Sequence, residues 1–138
     1  NLGTISHERV RRREVAPDRQ RQTLEQAIRY YQQALGFQPN HPYAHANMGL
    51  AYFDLGEWEK AHQSYERAYF LRPRDDKLLN NMGNLFATLG QQRPGAEGKK
   101  LLLKARQLYL GARRINPANP SPQRGLQYVE GLLNSGKW

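Results

Sequence analysis

The stretch PYAHANMGLAYFDLGEWEKAHQSYERAYFLRPRD, residues 42–75, decides how this chain folds. Its apolar and small residues fall at helical spacing: Met48, Gly49 and Tyr52 in the first half, Ala61, Tyr65 and Ala68 in the second. Pro42 suits the first turn of a helix, where its missing N–H costs nothing. Gly56 suits a tight turn between two helices, and Pro73 ends the second. Asp75 or Asp76 can cap the helix that follows. The stretch therefore predicts two antiparallel helices, A and B. Gly49, Ala61 and Ala68 let them approach, and Tyr52 and Tyr65 fill the space between them.

The unit recurs on both sides. Pro39 and Pro73 are 34 residues apart. Ala34, Tyr31 and Ala27 precede Pro39 at the offsets at which Ala68, Tyr65 and Ala61 precede Pro73. Ala112, Tyr109 and Ala105 stand at the same offsets before Pro117. In the first half, Asn47-Met48-Gly49 returns as Asn81-Met82-Gly83, and Asn1-Leu2-Gly3 reads like both. The spacing from glycine to the first helix-B alanine is 12 residues for Gly49 and Ala61, 22 for Gly83 and Ala105, and 24 for Gly3 and Ala27. The extra residues fall between helix A and helix B and predict enlarged A–B turns in the first and third repeats.

These residues resemble the tetratricopeptide-repeat (TPR) family, whose unit carries a large apolar residue and Gly in helix A, then Ala, aromatic, Ala and Pro around helix B. His45 stands where that family usually has Trp. The resemblance implies an all-α helix-turn-helix solenoid of about seven helices in a single domain. A first repeat with a basic insert would span 1–41, a complete repeat 42–75, a repeat with a ten-residue insert 76–119, and a capping helix 120–138. In the cap, Gln127 takes the glycine's place; Leu126, Tyr128, Val129, Leu132 and Leu133 are expected to pack inward. The chain opens inside a helix A, so it reads as a piece of a longer protein. Its incomplete ends leave apolar faces that a second copy can cover.

Charge narrows the function. The net charge is +9, but it is local. Residues 9–21 hold six arginines against two acids, and residues 93–114 hold seven bases against one acid. Arg9, Arg11, Arg12, Arg13, Arg93, Lys99 and Lys100 are therefore expected to form a basic edge for an acidic partner. RNA or an anionic surface is the alternative reading. It is weakened by the lack of aromatics among residues 9–21, which stacking on bases would require.

The resemblance further implies that helix-A residues line a concave partner-binding groove: Tyr43, Asn47, Leu50, Phe53 and Asp54, then Lys77, Asn81 and Asn84, then Arg124 and Tyr128 from the cap, with Asn1 joining them. Asn47 and Asn81 are equivalent positions, and an asparagine amide both donates to and accepts from a peptide backbone. The partner would be a protein or peptide segment. Asn47, Lys77 and Asn81 also match three places of the carboxylate clamp of chaperone-binding TPRs, an incomplete set. A narrower likeness to TPR proteins that assist photosystem I assembly rests on Asn80-Asn81-Met82, the lengthened third repeat and an aromatic-terminated last helix. It implies an assembly role.

Catalysis finds little support. There is no cysteine, which excludes disulfides and thiolate chemistry. His41 and His45 are four apart, but His41 precedes Pro42 and no third metal ligand is evident. Gly83 and Gly90 read as packing and turn glycines, not as a phosphate loop. The sequence thus predicts a binding module with no cofactor, no metal and no membrane span.

Overall fold

The computed structural model describes residues 2–12 and 16–135. Asn1 and Arg13, both named above, lie outside them, as does the aromatic that ends the chain, Trp138. The described residues form seven helices: α1 (Leu2–Arg11), α2 (Pro17–Phe37), α3 (Pro42–Asp54), α4 (Trp58–Leu71), α5 (Asp76–Gln92), α6 (Gly95–Ile115) and α7 (Ser121–Leu133). No described helix is long and apolar enough to cross a membrane. They group into two compact units, Asn1–Arg72 and Pro73–Trp138.

Local chemistry sets the ends. Pro42 opens α3, and the His41 imidazole accepts a hydrogen bond from the Ala44 amide at 3.1 Å. The Asp75 carboxylate accepts from the amides of Lys77 and Leu78 at 3.0 and 3.2 Å, which caps α5. Two glycines stand in the left-handed region, Gly56 at φ 79° in the turn from α3 to α4 and Gly95 at φ 70° as the first residue of α6.

One contact repeats through both units. A Cβ on Gly3 would come within 3.0 Å of the Tyr31 ring, on Gly49 within 2.6 Å of Tyr65, and on Gly83 within 2.7 Å of Tyr109. Each glycine lets a helix-B tyrosine ring pack closely against helix A. Tyr31, Tyr65 and Tyr109 are buried as a result. The Gly3 contact places α1 as the helix A of a first repeat. In the first unit Ala27, Ile28, Tyr31 and Ala51 form a core with Met48, Tyr52 and Leu55 packed against it. In the second, Phe86, Leu102, Ala105 and Tyr109 pack with Leu126 and Val129 of α7. Asp76 ties the unit's far end together: the side-chain amides of Asn116 and Asn119 both donate to its carboxylate.

The enlarged A–B region of the third repeat is helical. α5 has 17 residues where α3 has 13, and α6 has 21 where α4 has 14. The connection between them shrinks from Leu55, Gly56 and Glu57 to Arg93 and Pro94. These changes account for all ten extra residues. In the first repeat α2 also reaches 21 residues. The physical reason lies in residues 96–104, which are mostly strong helix formers. Gly90, the counterpart of the turn residue Gly56, therefore lies inside α5. A Cβ there would meet the Gly98 carbonyl and Leu102 at 2.9 Å, so Gly90 and Gly98 carry the close packing of α5 on α6. In α7, Tyr128 is 51% exposed, against the expectation that it packs inward, while Leu126 and Val129 are buried.

Candidate partner-binding site

On the first unit, two residues expected in the groove, Asn47 and Leu50, meet two expected on the basic edge, Arg11 and Arg12. His7, Arg11, Arg12, Tyr31, Asn47 and Leu50 line a cleft of about 310 Å³, with Thr4 and Glu8 at its side. Helical spacing produces it. His7 and Arg11 are one turn apart on α1, and Asn47, Leu50 and Asp54 follow one face of α3.

Asp54 does not line the cleft itself but holds two of the residues that do. Its carboxylate accepts from His7 Nε2 at 2.9 Å and from Arg11 Nη1 at 2.8 and 3.1 Å. A carboxylate at the last residue of a helix faces the negative end of the dipole. The guanidinium and the imidazole offset that cost. The His7 side chain is only 5% exposed, and its ring also meets the edge of Tyr31 at 6.4 Å. Arg11 is therefore already answered by an acid. The charge left facing the cleft is that of Arg12, with Glu8 of opposite sign. The cleft is mixed in polarity: amide, imidazole, guanidinium and one leucine.

The other expected residues are spread out. Tyr43 is half-exposed, with the Arg72 guanidinium 4.9 Å from its ring centre. Phe53 stacks at a tilt on Trp58, centroids 5.3 Å apart. In the second unit, Lys77 is exposed and Asn81 half-buried on α5. The Asn84 side-chain oxygen Oδ1 accepts from the Tyr109 hydroxyl at 2.6 Å, so this asparagine serves the core. Arg124 donates to the Ser121 hydroxyl at 3.1 Å. Of the basic edge, Arg93 pairs with Glu97 across one turn, while Lys99 and Lys100 stand exposed near the start of α6, and Arg9 is exposed on α1. The cleft also uses Thr4, Glu8 and His7, which the sequence reading left out. Aligning Gly3 with Gly49 places Thr4 opposite Leu50 and Glu8 opposite Asp54, and that alignment would have found them.

The histidines are occupied by structure. His41 caps α3, and His45 Nε2 lies 2.9 Å from the Pro39 carbonyl oxygen. Among the described residues no three His, Cys, Asp or Glu side chains converge to hold a metal ion.

A family model described as TPR repeat matches residues 18–56 and 49–90, together more than half of the chain. The chain belongs to the tetratricopeptide-repeat family. A search of curated proteins found no match. Among solved structures, the first TPR of Spaghetti (RPAP3) bound to the HSP90 peptide SRMEEVD is similar, at 18% identity and a TM-score of 0.71, covering 97% of this chain and 91% of that one. The second TPR domain of human RPAP3 in complex with the HSP70 peptide SGPTIEEVD is 20% identical, with a TM-score of 0.66, over 78% of this chain and 82% of that one. The Sgt2 TPR domain from Aspergillus fumigatus is 22% identical, with a TM-score of 0.69, over 96% of this chain and 76% of that one.

Proposed function

We propose that this TPR chain is a non-catalytic adaptor or assembly factor that holds an extended segment of a partner protein on its helix-A faces. The observation that carries the reading is the cleft in which Asn47 and Leu50 stand beside Arg12. Asn47 supplies a donor and an acceptor to a peptide backbone, Leu50 an apolar contact, and Arg12 a cation for an acidic side chain. At about 310 Å³ the cleft accepts a few residues of a chain. Asn81 offers the same amide chemistry from α5. Two of the similar structures hold peptides that contain two consecutive glutamates and end in aspartate, which fits a partner with acidic residues.

The test is fluorescence anisotropy with a pool of labelled extended acidic peptides, SRMEEVD among them. The expected result is that members of the pool bind wild type and bind Asn47→Ala at least about tenfold more weakly. Arg12→Glu should weaken acidic members selectively. The reading fails if no member binds. It also fails if single-stranded RNA displaces every peptide and all binding falls steeply with salt, the signature of phosphate recognition.

A further inference from the structure

The sequence Leu101-Leu102-Leu103 sets three large apolar residues side by side on a helix. Consecutive residues point about 100° apart, so one packed face cannot bury all three. Leu102 is fully buried, Leu101 is partly buried, and Leu103 remains 39% exposed. Leu103 is thereby left as a large apolar side chain on the solvent side of α6, beside the half-covered Leu101.

Leu101 and Leu103 open into a groove of about 720 Å³ whose wall includes Phe86 of α5. Lys99, Lys100 and Lys104 line it, with Glu97 as its one acidic residue. The Lys104 ammonium lies 4.7 Å from the centre of the Phe86 ring, so one cation is held over the apolar wall. The α6 residues of the groove run from Ala96 to Gln107, which is roughly 17 Å along the helix axis, or about three turns. Eight of its nine lining residues come from α6, a helix B, so it is distinct from the helix-A face.

The geometry points to a second docking surface here, one that takes an acidic amphipathic helix of a partner protein. The occupant follows from complementarity. A three-turn helix with apolar residues at i, i+3, i+4 and i+7 covers Leu101, Leu103 and the edge of Phe86. Glutamates or aspartates flanking that stripe meet Lys99, Lys100 and Lys104. A single strand of RNA would need an open aromatic face, whereas Phe86 is 7% exposed and carries Lys104 above it. A bilayer would need a broad apolar face, and Leu103 is the one exposed large apolar side chain lining this groove.

The probe is a labelled, designed helical peptide of about 16 residues with a leucine stripe flanked by glutamates, titrated against the full chain by fluorescence anisotropy. Comparison probes are its scrambled isomer, the version with lysines for glutamates, phosphatidylserine vesicles and a single-stranded RNA. The patterned acidic peptide is expected to bind at least about tenfold more tightly than the scrambled and lysine peptides. Leu103→Asp and, separately, Lys99→Glu with Lys100→Glu should each weaken it by about tenfold or more, with melting temperatures unchanged because these side chains are exposed. Asn47→Ala should leave this binding intact, which separates the groove from the helix-A cleft. Equal binding of the patterned and scrambled peptides would reduce the surface to plain charge and overturn the inference. So would absence of peptide binding, or vesicle or RNA binding that depends on Leu103 when peptide binding does not.

Discussion

The second and third repeats share one contact and differ in what surrounds it. Gly49 meets Tyr65 in α3 and α4, and Gly83 meets Tyr109 in α5 and α6, at nearly the same distance. The residue after the glycine then decides the fate of the phenol. Asn84 accepts from Tyr109 at 2.6 Å, whereas its counterpart Leu50 leaves the buried Tyr65 hydroxyl without a partner among the described residues. In the first repeat Thr4 takes that place and hydrogen-bonds Tyr31. One turn further on, Asp54 crosses to α1, while its counterpart Thr88 bonds the Asn84 carbonyl within its own helix. The repeat thus conserves a packing contact within this chain and spends the next positions on local demands. Leu50 does not satisfy Tyr65, and it lines the cleft beside Asn47 instead.

The largest expected effect tests whether the two contacts are equivalent. Gly49→Ala and Gly83→Ala each place a Cβ inside the tyrosine ring's contact distance, and each should destabilise by up to about 3 kcal/mol in chemical denaturation. A large inequality between them would break the comparison.

Alkali should come next. Burial pushes the Tyr109 phenol up to about 12, helped by nearby Tyr128, and raises Tyr65 further still, with Asp54 adding to the shift. Below the ordinary phenol value of 10.0 both folded and unfolded chains keep these protons, and the contribution is fully present. Above it the unfolded chain releases protons first, so stability falls as pH rises towards the folded value. Tyr109 alone should cost about 2 kcal/mol by the time its folded value is reached. Thermal melts across this window should show the fall, and Tyr65→Phe should remove more of it than Tyr109→Phe.

Asp54→Ala strands the buried His7 and frees Arg11, and should cost about 1.5 kcal/mol. Thr88→Ala removes only a bond within a helix and should cost less than about 0.5 kcal/mol. The tyrosine pair sharpens the comparison most. Tyr109→Phe breaks a satisfied bond and should cost about 1 kcal/mol, while Tyr65→Phe should be neutral to slightly stabilising at neutral pH. Denaturant midpoints of the two variants check it.

Much of the fold was legible because its signals are local. Pro42, Gly56, Asp75 and the Gly–Tyr spacing each act within one or two turns of the chain. The lengthened helices were not legible, because Pro94, Gly95 and Gly98 are residue types that favour turns and loops. Gly98 turns out to be buried, facing Gly90 across the helix pair, and such a close approach carries no local signature. The cleft was half legible. Asn47 and Arg12 were each visible as residue types, but their meeting depends on α1 lying beside α3, far apart in sequence. The pairing of Asp54 with His7 and Arg11 changes an expected acidic groove residue and an expected basic-edge residue into partners of each other.

The most direct test of the adaptor reading is a quantitative pull-down from nuclease-treated native extract, read by mass spectrometry, with wild type beside Asn47→Ala/Asn81→Ala and Arg12→Glu. The account predicts a protein captured by wild type and lost from the double asparagine variant. Capture that ignores both asparagines, or that disappears on nuclease treatment, would contradict it.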